Sequence, residues 1–187
     1  LLDNEAPEPV ASVVRDDLLR LVFTCCHPSL ALEAQVALSL RTLGGLTTPE
    51  VARALIVPEA TMAKRLTRAK QKIRQARIPY RVPSDDELPQ RLAGVLATVY
   101  LIFNEGYAAG SGEQAVRTPL VDEALRLGRL LHELMPDEAS VSGLLALMLI
   151  HDSRRSARVS ADGVAVPLAE QDRSLWDRQA AREGIEL

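Results

Sequence analysis

The groups with obvious chemistry in this 187-residue chain are cationic, and they are crowded together. Its three lysines, Lys64, Lys70 and Lys72, fall within nine residues, interleaved with Arg65 and Arg68 and followed by Arg74. Between Leu46 and Tyr80 there are eight Lys/Arg against two acids, Glu50 and Glu59, a local charge of +6. The chain as a whole carries −3, so the other segments carry −9. An acidic protein with one concentrated basic segment has a polyanion as its natural partner.

Other groupings are weaker. Cys25-Cys26-His27 suggests zinc, but adjacent cysteines make poor co-ligands and no second Cys/His cluster follows to complete four ligands. Packing at a helix end is the reading taken. His151-Asp152 has the pairing of metal-dependent phosphohydrolases, yet His132 is the only other histidine in that half. A helix terminus with Asp152 paired to Arg154 or Arg155 is expected instead. Asn104-Glu105-Gly106-Tyr107 reads as a helix end with a turn, or as a pocket lining, and Trp176 as the anchor of a last helix. No catalytic residue, metal or cofactor is expected.

The elements that must position these groups are helical. Apolar residues make up 47% and charged residues 25%, an ordinary globular balance. Aromatics are only 3%, so the core must be built from Leu, Ala, Val and Ile, which favours packed helices. No apolar run reaches the roughly 18 residues of a membrane span. Two cysteines and no visible signal peptide point to a reducing, cytoplasmic setting. Leu1 in place of Met reads as a fragment or a processed chain.

Residues 1–9 read as a linker tail. Val14, Leu18, Leu21 and Val22 place a first helix ending near Cys25-Cys26-His27, and Leu32, Val36, Leu40 and Leu43 a second, stopped by Gly44-Gly45. Thr47-Thr48-Pro49-Glu50 is a helix start signal. A short helix follows to about Leu55, and a long basic one from Pro58 to about Ala76. On the latter, Met62, Leu66, Ala69 and Ile73 share one face, while Ala60, Ala63, Lys64, Thr67, Arg68 and Gln71 lie largely on the other. Beyond Tyr80, a helix from Pro89 to Phe103 leads into a loop at Asn104–Gly112. Helices at Leu120–Leu134 and Glu138–His151, a short hairpin at Val159–Val166 and a helix at Ala169–Arg182 complete the expectation.

A short helix, a tight turn and a second helix with a basic outward face constitute a helix-turn-helix. The second helix enters the major groove, where base edges carry a distinct donor and acceptor code. Ala60 and Ala63 let its backbone approach, Lys64 and Arg68 reach base edges or phosphates, and Arg65, Lys70, Lys72, Arg74 and Arg77 neutralise phosphates. Ile56-Val57 occupies the tight turn where Gly or Asn is usual. A β-branched residue suits positive φ poorly, so the turn is of another type or strained.

The phrases Gln35-Val36-Ala37-Leu38, Leu43-Gly44-Gly45-Leu46-Thr47, Glu50-Val51-Ala52, Val57-Pro58-Glu59-Ala60-Thr61-Met62, Arg65-Leu66 and Arg68-Ala69-Lys70 resemble region 4 of bacterial extracytoplasmic-function sigma factors. Leu101–Tyr107, His151–Arg155 and Gln171–Asp177 are similar to a subgroup with a C-terminal helical extension. The resemblance implies a four-helix domain over residues 10–80 that binds the promoter −35 element and docks on the β flap of core RNA polymerase. It places base and nearby backbone contacts on Ala63, Lys64, Thr67 and Arg68, with Thr61 at the helix entrance, and Arg65, Lys70 and Lys72 join them as the expected phosphate contacts. Residues 81–187, with 17 acids against 11 arginines, form an acidic helical extension expected to pack on the DNA-binding domain or on polymerase. No counterpart of region 2, which holds unstacked bases on aromatic side chains, is recognisable, since Phe23 is the only aromatic before Tyr80.

The expectation is therefore an all-α sigma subunit, without membrane association. A one-component regulator with a ligand-binding or dimerising helical domain, and an enzyme built on Glu105, Asp152 and the arginines, are the rivals.

Overall fold

The structure, a computed structural model, describes residues 17–81, 83–84, 86–107, 118–160 and 164–187. These residues form eight α-helices and short 3-10 turns. In chain order the helices are α1 (Asp17–Cys25), α2 (Leu32–Thr42), α3 (Thr48–Ala54), α4 (Glu59–Ala76), α5 (Leu88–Tyr107), α6 (Thr118–Leu134), α7 (Ala139–Asp152) and α8 (Arg178–Glu186). The fold is all-α, as composition favoured. None of the described helices is long and apolar enough to cross a membrane.

Helices α3 and α4 pack on α2, and α1 closes the same group. In the other half α6 lies against α5 and α7, and α8 rests on α7. Helix α5 serves both groups. Its N-terminal half buries Arg91, Gly94, Val95 and Thr98 against α1 and α2, and Ile102 lies near Gly44. The Arg91 guanidinium, although buried, donates to the Phe23 carbonyl at 3.0 Å and faces Glu87 at 3.6 Å. Ser84 and Glu87 bond reciprocally just before α5, the Ser84 amide and hydroxyl donating to the Glu87 carboxylate and the Glu87 amide to the Ser84 carbonyl. A single buried apolar cluster thus runs from Val22 to Leu149 through α5.

Three expectations are corrected. Helix α5 continues through Asn104, Glu105 and Gly106 to Tyr107. Gly106 permits a close crossing here rather than a turn: a Cβ on it would stand 2.8 Å from both the Leu120 Cβ and the Val121 amide nitrogen. Ala169–Arg182 is not one helix. Asp172 and Asp177 each accept hydrogen bonds from amides two or three residues further on, which gives a 3-10 turn at Arg173–Leu175 and a fresh start for α8. Such local side-chain bonding competes with a continuous helix. The hairpin shrinks to one antiparallel bridge, Val159 with Ala165, among the described residues. The loop expected at Gly110-Ser111-Gly112, the residues before Asp17 and the Asp162-Gly163 turn lie outside them.

Candidate nucleic-acid interface

Helix α3 begins with a complete capping box. The Glu50 amide donates to the Thr47 hydroxyl at 3.4 Å, and the Thr47 amide donates to the Glu50 carboxylate at 2.7 Å. Pro49 occupies the first turn, where its missing N–H costs nothing. Val51 and Ala52 are the buried residues of α3, and Ala52 is small where α4 crosses.

The turn to α4 is strained. Ile56 takes φ +54°, its amide donates to the Arg53 carbonyl at 3.1 Å, and the Val57 amide donates to the Ala52 carbonyl at 2.9 Å. This is the Schellman arrangement, in which glycine normally fills the left-handed position. Here a β-branched residue occupies it with its side chain 92% exposed. Of the two alternatives the sequence allowed, the strained one is realised.

Helix α4 turns three faces to three environments. Met62, Leu66 and Ala69 are buried against α2 and α3, and Ile73 is half-buried beside them. The opposite face carries Ala60, Lys64, Thr67, Arg68 and Gln71, all exposed. Thr67 donates its hydroxyl to the Ala63 carbonyl at 2.9 Å, which leaves its oxygen lone pairs turned outward as acceptors. Ala63, Lys70 and Arg74 occupy one exposed flank. Thr61, Arg65, Arg68 and Lys72 occupy the other, where they border an open groove of about 430 Å³ whose far wall is Leu30, Ala31, Glu33 and Ala34 of the α2 entry. Arg65 alone of the eight expected contact residues is half-buried; Thr61, Ala63, Lys64, Thr67, Arg68, Lys70 and Lys72 are exposed. The structure therefore separates the eight into an outer face and two flanks. Sequence reading missed the α2 wall and its acid Glu33, because no spacing in α4 reveals which neighbour borders it.

No side chain caps the first turn of α4, whose N-cap position is Pro58, so its dipole opens toward solvent. Arg77 closes the other end in the left-handed region at φ +50°. The cysteine and histidine motifs make local contacts. Burial pushes the Cys26 thiol up to about 12 and the Cys25 thiol above its ordinary range; Cys26 lies 3.8 Å from the Ser39 hydroxyl. The His27 ring accepts from the Ser29 amide at 3.1 Å. Asp152 pairs with Arg155 at 2.6 Å, as its position at a helix terminus suggested.

Comparison with known families gives this exposed basic helix behind a capped short helix a DNA-binding context. Residues 20–73 match the family model for sigma-70, region 4, and residues 91–187 match a family of unknown function (DUF6596). The chain carries a sigma-70 region 4, a DNA-binding domain, and it belongs to the family of unknown function, whose match covers more than half of its length. It is 46% identical over 173 residues to an uncharacterised protein of Rhizobium meliloti (strain 1021), a match covering 92% of this chain and 41% of that protein. The chain thus spans less than half the length of this relative. No solved structure matches it.

Proposed function

We propose that this chain is the −35-reading portion of an extracytoplasmic-function sigma subunit, working in the cytoplasm and docked through its region 4 on the β flap of core RNA polymerase. The observation that carries this reading is the bare outer face of α4. Ala60, Lys64, Thr67, Arg68 and Gln71 are all exposed among the described residues, although the chain folds an acidic half onto the same core. A helix with small residues at its entrance can approach the groove floor, and Lys64 and Arg68 then reach base edges while Thr61, Arg65, Lys70 and Lys72 meet phosphates on the two flanks.

A fragment of this kind requires polymerase for stable promoter recognition. The test is affinity capture of core RNA polymerase by the full chain, with and without the β flap tip. Retention by intact polymerase alone supports the proposal. Tight, polymerase-independent binding to a palindromic duplex would instead identify a one-component regulator.

A further inference from the structure

The C-terminal half holds three arginines within five residues, and the structure treats them differently. Arg155 is fully compensated: its guanidinium bonds Asp152 at 2.6 Å and Asp122 at 2.8 Å. Arg154 and Arg158 have no carboxylate partner among the described residues. Both are half-buried, in a half of the protein where acids outnumber bases. Half-buried guanidinium groups with no carboxylate beside them leave a positive charge locally unbalanced.

Their surroundings are rigid. The Arg158 guanidinium lies 3.6 Å over the Tyr107 ring and donates to the Tyr107 carbonyl at 2.7 Å. The Tyr107 hydroxyl donates to the His151 carbonyl at 3.0 Å, and the two rings meet edge-on at 5.5 Å. Arg154 donates to His151 Nδ1 at 3.2 Å, so the ring offers it a neutral lone pair, not a negative charge. Burial, then Arg154 and Arg158, push the His151 proton affinity down, which keeps that ring neutral. The Arg154 Nε–H is buried without an acceptor. So is the Trp176 indole N–H, on the segment that the Asp177 amide ties to the Ser153 carbonyl at 2.8 Å. Two buried donors, the Arg154 Nε–H and the Trp176 indole N–H, and one buried acceptor, Gln171 Oε1, lack partners in this half, and a group with several acceptor oxygens would satisfy the arginine.

We infer that Arg154 and Arg158, held by Tyr107 and His151, form an oxyanion-binding site in the C-terminal half, suited to a phosphate or carboxylate group. The site stands apart from the basic helix α4 and does not depend on how that helix is used. It lies at the end of α5, two residues beyond Glu105.

Inorganic phosphate and acetate are the probes, each titrated into the full chain at constant ionic strength and followed by NMR of the arginine side-chain, His151 and Trp176 indole signals. Saturable shifts confined to these groups are expected with at least one probe. Response to phosphate assigns a phosphate ligand, and response to acetate a carboxylate. Arg154→Gln should lose about tenfold or more in affinity, as expected for a hydrogen bond to a charged group, while Arg154→Lys keeps weakened binding and checks the fold. The Lys64→Ala/Arg68→Ala variant should retain the response, which separates this site from α4. Absence of saturation with both probes, or a response that survives Arg154→Gln, would overturn the assignment.

Discussion

Arg53 on α3 and Glu105 on α5 meet at 3.5 Å across 52 residues of sequence, and so tie the first helix of the helix-turn-helix to the spine of the C-terminal half. The carboxylate is nearly buried whereas the guanidinium is half exposed, at 11% and 51%. Solvent screens such a pair, so its coupling should be about 0–1 kcal/mol. A double-mutant cycle of Arg53→Gln and Glu105→Gln, read by urea denaturation, measures it directly. A coupling of several kcal/mol would mean that the pair governs the fold rather than the angle between the two halves.

Ile56 stores strain in the turn before α4. Replacing it with glycine removes the left-handed penalty and should stabilise the protein by about 1 kcal/mol, even though glycine gives the unfolded chain more freedom. Thermal melting of Ile56→Gly tests this. An unchanged or lower Tm would show that the exposed isoleucine is held by contacts the turn geometry does not reveal.

Two glycines in helices should respond oppositely to alanine. Gly106 sits where α5 and α6 cross, with backbone and side chain of the next helix too close for a Cβ, whereas nothing lies within 4 Å of a Cβ built on Gly143. Gly106→Ala should destabilise by about 1–3 kcal/mol, the usual penalty of overpacking. Gly143→Ala should stabilise by about 0.5–1 kcal/mol through helix propensity. Denaturation midpoints of the two variants decide the matter, and equal shifts would contradict the crossing described.

Stability should also depend on pH through Cys26. Burial raises its thiol from 9.0 to about 12, so the folded chain retains a proton that the unfolded chain releases. The favourable contribution is therefore complete below pH 9.0 and is lost as pH climbs toward 12. The urea midpoint of the native chain should fall above pH 9.0 more steeply than that of Cys26→Ala. Parallel curves would remove the thiol from the account. Native-state alkylation at pH 8 should likewise be slow, because the thiolate is the reactive form.

Much of this was legible in the residues. Thr47-Thr48-Pro49-Glu50 marks the start of α3 because a capping box is purely local chemistry. The period of Met62, Leu66, Ala69 and Ile73 fixes which side of α4 is buried. Gly106 misled because glycine serves turns and close helix crossings alike, and only the position of α6 distinguishes them. The break before α8 depends on Asp172 and Asp177 bonding nearby amides, a choice that apolar spacing does not record. The Arg53–Glu105 and Arg91–Phe23 contacts join segments tens of residues apart, so no reading of one segment could find them.

The central claim is that the outer face of α4 is the surface that meets DNA. Its most direct test is fluorescence anisotropy of −35 duplex with core RNA polymerase and either the native chain or the Lys64→Ala/Arg68→Ala variant, across a salt series. With about five phosphates neutralised, log K for the native chain should fall against log salt with a slope of roughly −4 to −5. The variant should lose DNA affinity and show a slope shallower by about 2, while capturing polymerase as well as the native chain does. Undiminished affinity with an unchanged slope would contradict the claim and place the DNA contact elsewhere on the protein.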